Sequence, residues 1–427
     1  MYWKVRDLES YKLIDANQAI GRTNCLELFS AERWAEFRKD LAMFDRASAV
    51  TPKMRDHGYN GSPTHTFFAS KLANLVPTSY AGVTALSVVD VLAICAMLAI
   101  LTLAFGARFG LLFAILFFVN FSDRFYFIGG SMMRYIWMAT LAGGIAMLKL
   151  GRYRTAAVLM TSSALLNVFP FLFLVGIGFR ALWVLIRTRA LPRHYRRFVA
   201  AAALTGVIGA GLGAGHSDGV HNYGEFFSFI GGHSQKLTSS RTGFRYTLLY
   251  RGDKDREILS SRSKPIGYKK LGKQLLKASP FLFGLGAVLV LAGLVLCVRL
   301  DDVEACALVG FLLFFVVFGT VEYYYACTPL LLAIFYRRWG EGGGAFIAGL
   351  FALMAVVLLL YRETHSLKFC NNTAMSAALL SFLAATLVYL MARLGPLRLR
   401  GARFVAAVIA AAVSGPALVA IGYLAFT

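Results

Sequence analysis

The chain has 427 residues, of which 58% are hydrophobic and 14% aromatic, and its mean hydropathy is +0.62. That balance excludes a soluble globular protein, and apolar runs of membrane length recur from about Thr78 onward. The net charge of +22 does not point to nucleic acid, because the basic residues sit in short connections between apolar runs rather than on one folded basic face.

Residues 1–77 open Met1-Tyr2-Trp3-Lys4 and stay mixed and polar, without the pattern of a cleavable leader. Within them Ser30 precedes a stretch to Ala47 that carries Trp34, Phe37, Leu41 and Phe44 at three- and four-residue spacing. That spacing predicts an amphipathic helix lying against the bundle or the membrane surface. Apolar runs then follow near 81–105, 109–121, 131–148, 155–167, 169–186, 198–214, 279–298, 305–320, 328–336, 344–360, 374–392 and 404–426. The predicted fold is therefore all-α, a polytopic membrane bundle of about 10 to 12 segments with two larger extracytoplasmic loops. Its expected organisation is an outer segment over 1–77, a first bundle over 78–214, a basic outer loop over 215–278 and a second bundle over 279–427.

Charge orients the bundle. One set of connections holds Arg108, Lys149, Arg152, Arg154, the run from Arg187 to Arg197, Arg299, Arg337, Arg338 and the run from Arg393 to Arg403, 16 basic residues in all. The opposite short connections hold Arg124, Arg134, Arg362 and Lys368, and this 16 to 4 bias places the first set in the cytoplasm. Residues 155–186 would break the alternation as one helix, so Asn167-Val168-Phe169-Pro170 reads as the bend of a hairpin. Residues 328–336 span roughly 14 Å as an α-helix against a hydrocarbon core of roughly 30 Å, so this run is expected not to cross alone, leaving Glu322 in a protein-lined recess. The outer loop 215–278 carries 12 Lys/Arg against 5 Asp/Glu, a charge that topology does not explain.

The residues that could carry chemistry fall in four clusters: Arg6-Asp7 with Tyr11; Arg55-Asp56-His57 with Tyr59; the loop with His233, Arg241, Arg245 and Arg251; and Glu322 with Tyr323, Tyr324 and Tyr325. Carboxylates at a membrane boundary can accept a hydroxyl proton while Arg and His hydrogen-bond a phosphate leaving group, which suits group transfer from a phosphate-bearing lipid. A plainer reading stands beside each. Asp7 with Arg6 forms a surface ion pair, Asp56-His57 a polar turn, and the loop arginines contact anionic lipid. Glu322 is either functional or the partner of Arg124 or Arg134, and Asp90 is either structural or part of a path. The cysteines make no CxxC pair and no metal-ligand spacing with His, and no P-loop, HExxH or GxSxG motif occurs.

The stretch Lys149-Leu150-Gly151-Arg152-Tyr153-Arg154 running into Asn167-Val168-Phe169-Pro170 resembles the basic turn, small-residue helix and Lys/Asn-before-Pro layout of polyprenyl-phosphate-dependent glycosyltransferases of the GT-C fold. Tyr59 to Pro63, and Glu322 to Tyr325 followed by Pro329, are similar to that family too. The resemblance implies a multi-pass enzyme of a bacterial cytoplasmic membrane, active in the cell envelope, that moves a sugar with inversion from polyprenyl phosphate to a glycan, lipid or protein acceptor. Asp7, or second Asp56, would be its base; His57, Tyr59, Arg124, Arg134, His233, Arg241, Arg245, Arg251, Glu322 and Tyr325 would bind substrate. The Asp pairs of metal-using relatives are missing, so no metal and no cofactor is expected. The family also places a helix before the Asp-bearing loop, so the resemblance implies either a first helix upstream of Met1 or an N-terminus outside and a partial match. A lipid-linked glycan flippase or a non-catalytic assembly subunit are the rival expectations.

Overall fold

The computed structural model describes residues 4–7, 13–16, 18, 30–46, 61–120, 132–216, 219–234, 241–247, 268–364 and 368–394. They divide into two units, Met1–Gly61 with Phe68–Leu86, and Ser62–Phe67 with Ser87–Thr427. In the first, strands β1 (Lys4–Arg6) and β2 (Leu13–Asp15) pair antiparallel, with Lys4 opposite Asp15. The expected amphipathic helix is α1 (Ala31–Arg46), whose Arg33 N–H bonds the Ser30 hydroxyl at 3.3 Å in the manner of an N-cap. Helix α2 (Pro63–Ala73) begins in the second unit, and α3 (Tyr80–Phe105) belongs to it from Ser87 onward.

The second unit is a helical bundle. After α3 come α4 (Ala107–Phe118), α5 (Ile136–Lys149), α6 (Tyr153–Leu166), α7 (Phe171–Thr188), α8 (Arg193–Ala214), α9 (His221–Ser234), α10 (Tyr268–Cys297) and α11 (Asp302–Val317). A 3₁₀ helix (Glu322–Ile334), α12 (Gly344–Thr364) and α13 (Lys368–Leu394) complete it. Six of these helices are long and apolar enough to cross a membrane, and shorter apolar ones pack among them. Short connections such as Leu150–Arg152 force consecutive helices into antiparallel hairpins, so the bundle is a polytopic membrane fold. The last apolar run, 404–426, lies outside the described residues.

The hairpin at Pro170 is present. Helix α6 ends at Leu166, Asn167 turns extended, and Pro170 opens α7 with φ −58°, where its missing N–H costs no hydrogen bond. The run at 328–336 lies for the most part within a 3₁₀ helix, and Glu322 at its start is buried. The 3₁₀ helix has 13 residues from Glu322 to Ile334, and at about 2.0 Å rise it covers roughly 26 Å, much the same as the roughly 24 Å of the 16-residue α11 beside it.

Helix α11 is the centre. It is apolar on all faces and buried from Asp302 to Leu312, with α7 on one side and the 3₁₀ helix on another. Backbones approach closely where glycine allows it: a Cβ on Gly176 of α7 would lie 2.4 Å from the Ala305 carbonyl oxygen, and one on Gly310 would lie 2.5 Å from the Phe173 ring. By contrast, only 11% of the apolar window of α8 is buried, and Leu204, Val207 and Ile208 lie bare on it, a surface suited to lipid.

Candidate functional site

The two ends of the bundle differ in chemistry. At the end with the arginine-rich connections, Asp301 caps α11: its carboxylate accepts the Glu304 N–H at 2.8 Å, and the Glu304 carboxylate accepts the Asp301 N–H at 3.1 Å. The next residue, Asp302, accepts three bonds, from the Tyr153 hydroxyl at 2.5 Å, Arg180 Nε at 2.6 Å and the Tyr195 hydroxyl at 2.7 Å. Arg180 also donates to the Cys297 carbonyl at 2.9 Å. Arg338 pairs with Glu304, Tyr336 and Arg337 donate to Asp301, and Lys149 Nζ lies 4.6 Å from the Tyr336 ring centre. Burial first, and then the bond to Asp301, raise the Tyr336 hydroxyl above its ordinary range. A cavity of about 560 Å³ opens here between Tyr153, Arg180, His194, Tyr195 and Asp302.

Each acid accepts two or three bonds, and through Asp302 the network ties α6, α7, α8 and α11 together. Its residues are not among the sequence candidates. Reading the apolar run as starting at Ala305 leaves Asp301, Asp302 and Glu304 as loop residues. The D-x-x-E capping signature, and Arg180 alone inside the apolar α7, were the available signals.

The opposite end holds the sequence candidates. Strand β3 (Arg241–Thr242) pairs antiparallel with β4 (Thr320–Val321), setting Arg241 opposite Val321, the residue before Glu322. Arg241 and Glu322 are 2% and 3% exposed, so two charges of opposite sign are removed from solvent at one end of the bundle. Arg241 Nη1 donates to the Gly319 carbonyl at 2.9 Å. The strand is pinned on its other flank, where the Thr242 hydroxyl donates to Asn372 Oδ1 at 2.8 Å and the Gly243 N–H to the Ser376 hydroxyl at 3.0 Å. Gly243 has φ +149°, and a Cβ there would sit 2.7 Å from the Phe318 carbonyl oxygen, so the crossing of strand and helix end requires glycine. Tyr325, fully buried, donates its hydroxyl to the Thr242 carbonyl at 3.3 Å and receives Asn120 Nδ2 on its own carbonyl at 3.1 Å. Arg241, Glu322 and Tyr325 are thus brought together.

Arg134 stands beside them, at the edge of an aromatic cluster. Its Cζ lies 4.3 Å from the centre of the Tyr323 ring, Tyr323 stacks obliquely on Tyr324 at 4.6 Å, and Tyr324 meets Phe169 at 5.1 Å and Trp137 at 6.3 Å. Arg134 Nε is shut off from solvent and has no hydrogen-bond partner among the described residues. The segment that presents it is strained: Met132 and Met133 both sit in the left-handed region, at φ 45° and 58°. What holds the segment is Asp90, whose Oδ1 accepts the Tyr135 N–H at 3.1 Å, so the structural reading of Asp90 applies to that oxygen. His65, at the start of α2, has its pKa lowered from 6.5 by burial first and by the Arg134 charge second, so the neutral imidazole is favoured.

The remaining candidates are placed as follows. Arg245 is exposed on the 3₁₀ turn after β3. His233 lies in the last turn of α9. Asp7 follows β1 in the other unit. Asp56, His57, Tyr59, Arg124 and Arg251 lie outside the described residues. Among the described residues no group of three His, Cys, Asp or Glu side chains could hold a metal ion. Compared with protein-family models, with curated proteins and with solved structures, the chain has no match.

Proposed function

We propose that this protein is a membrane glycosyltransferase that moves a sugar from a polyprenyl-phosphate donor to an acceptor hydroxyl, at the bundle end that carries Arg134, Arg241 and Glu322. The observation that carries the reading is Arg134: a guanidinium held on strained backbone, over the Tyr323 ring, with Nε uncommitted among the described residues. Such a group favours an anion, and a phosphate leaving group at a membrane boundary is one. The partly exposed Tyr323 beside Arg134 offers apolar surface for a sugar ring or prenyl chain. In the reaction the acceptor oxygen bonds to the anomeric carbon as the bond from that carbon to the phosphate oxygen breaks. The electron pair leaves with the phosphate, and the hydroxyl proton passes to a carboxylate, for which Asp7, Asp56 and Glu322 are the candidates. The acceptor, the bacterial inner membrane and the outward orientation of this end belong to the same proposal.

The test is transfer from a labelled polyprenyl-phosphate sugar by membranes containing the protein. Losing a charge-assisted contact costs about 1.5–3 kcal/mol, so Arg134→Ala should lower kcat/KM roughly 10- to 100-fold. Undiminished transfer in both Asp7→Ala and Asp56→Ala leaves Glu322 as the base, to be checked with Glu322→Gln. No transfer by the unaltered protein from any such donor removes the reading. A second reading, movement of a lipid-linked glycan across the membrane, is favoured by the Arg180–Asp302 pair and its cavity within the bundle. Labelled donor that crosses the bilayer chemically unchanged would establish that one instead.

A further inference from the structure

We infer that the arginine-rich end of the bundle carries a binding site for the phosphate of an anionic phospholipid, formed by the first turns of α6 and α8. Arg154 on α6 and Arg193, Arg196 and Arg197 on α8 line a cavity of about 550 Å³ whose floor is Ala200 and Leu204. Four guanidiniums converge there and no carboxylate among the described residues pairs with any of them. Arg197 feels the repulsion of Arg193, one helical turn before it, and of Arg154 across the gap. Such an arrangement stores like-charge repulsion that a bound anion relieves, and the planar fork of each guanidinium fits two phosphate oxygens at once.

The surroundings identify the anion as a lipid headgroup. Helix α8 turns from charged to apolar within two turns, and the surface immediately beyond Arg197 carries Leu204, Val207 and Ile208, which are 62%, 72% and 54% exposed. Little else covers it, since 11% of the apolar window of α8 is buried in the bundle. A phosphate in the cavity would therefore have its acyl chains laid along an open apolar helix, the arrangement that a phospholipid requires and a free phosphate does not. The small side chains of Ala200 and Ala201 leave room for the headgroup. This inference stands apart from the proposed transferase activity, since the site is at the other end of the bundle.

The test is thermal unfolding of the purified full-length chain in detergent, titrated with phosphatidylglycerol, with phosphatidylcholine, or with inorganic phosphate. Phosphatidylglycerol should raise the unfolding temperature saturably where the other two do not. In Arg193→Gln/Arg197→Gln the apparent affinity should fall on the order of tenfold or more, one to two charge-assisted contacts being lost. Arg187→Gln/Arg189→Gln removes the same charge from exposed positions at the same end, and should leave the affinity unchanged. An equal loss in that control reduces the effect to general surface charge and overturns the site. So does an equal response to phosphatidylcholine. Inorganic phosphate reproducing the full rise would replace the lipid by a free anion and overturn the inference as stated.

Discussion

Consecutive aspartates at the start of α11 do different work. Asp301 accepts the Glu304 backbone N–H along with Tyr336 and the exposed Arg337, whereas Asp302 accepts side chains alone and shares its shelter from water with its partner Arg180. The Arg180 and Asp302 side chains are 20% and 10% exposed, so the pair is sheltered without being dry. Asp302→Leu leaves Arg180 sheltered without its carboxylate and takes the acceptor from Tyr153 and Tyr195. It should destabilise by about 3 kcal/mol, while the double change Arg180→Met/Asp302→Leu should cost clearly less than the sum of the singles. A double-mutant cycle on thermal unfolding in detergent measures this, and strict additivity would show that the two residues do not act as a pair. The candidate site illustrates what sequence can and cannot carry at this scale. Glu322 and Arg134 were legible because a charge beside an apolar run demands a reason. Arg241 and Arg245 look alike in the sequence. Pairing with β4 buries one and leaves the other in solvent, and that depends on residues some eighty positions away.

At the scale of elements, run length and charge alternation suffice wherever helices rise at the ordinary 1.5 Å. They locate the Pro170 hairpin, but they do not show that Glu322–Ile334 winds as a 3₁₀ helix, because that choice cannot be read from composition. Close helix approach is equally hidden. Gly176 and Gly178 are two residues apart in α7 and are equally plausible as packing glycines, yet a Cβ on Gly176 would meet the Ala305 backbone while one on Gly178 meets nothing within 4 Å. Gly176→Leu should therefore separate α7 from α11 and destabilise by about 3 kcal/mol or more. Gly178→Leu should be neutral or slightly stabilising, gaining helix propensity on a lipid-facing surface. Unfolding temperature and the fraction of monodisperse protein on size exclusion compare the two. Equal behaviour would mean that the α7–α11 contact does not depend on glycine.

For the whole molecule the question is which end faces which compartment. The alternation of basic connections assigns the arginine-rich end to the cytoplasm, and the bundle gives each end reporters. Leu150, 45% exposed, follows Lys149, whose ammonium lies over the Tyr336 ring beside the Asp302 network. Val220, 78% exposed, follows the end of α8 where Tyr223 bonds the Thr64 hydroxyl at 2.8 Å, one residue from His65 and so at the Arg134 end. In a background with Cys25, Cys95 and Cys370 changed to Ser, a membrane-impermeant maleimide should label Val220→Cys in intact cells and Leu150→Cys only after lysis. Cys297, Cys306 and Cys327 are buried, so the background should be silent. The reverse pattern would turn the molecule over, placing the Arg134 cluster in the cytoplasm and the four-arginine cavity in the outer leaflet. It would leave the chemistry of both ends intact and change which lipids and acceptors can reach them. Labelling of both positions from one side would mean that α6, α7 and α8 do not separate the two positions by an odd number of crossings, and the bundle's antiparallel order would then have to be redrawn at its first hairpin.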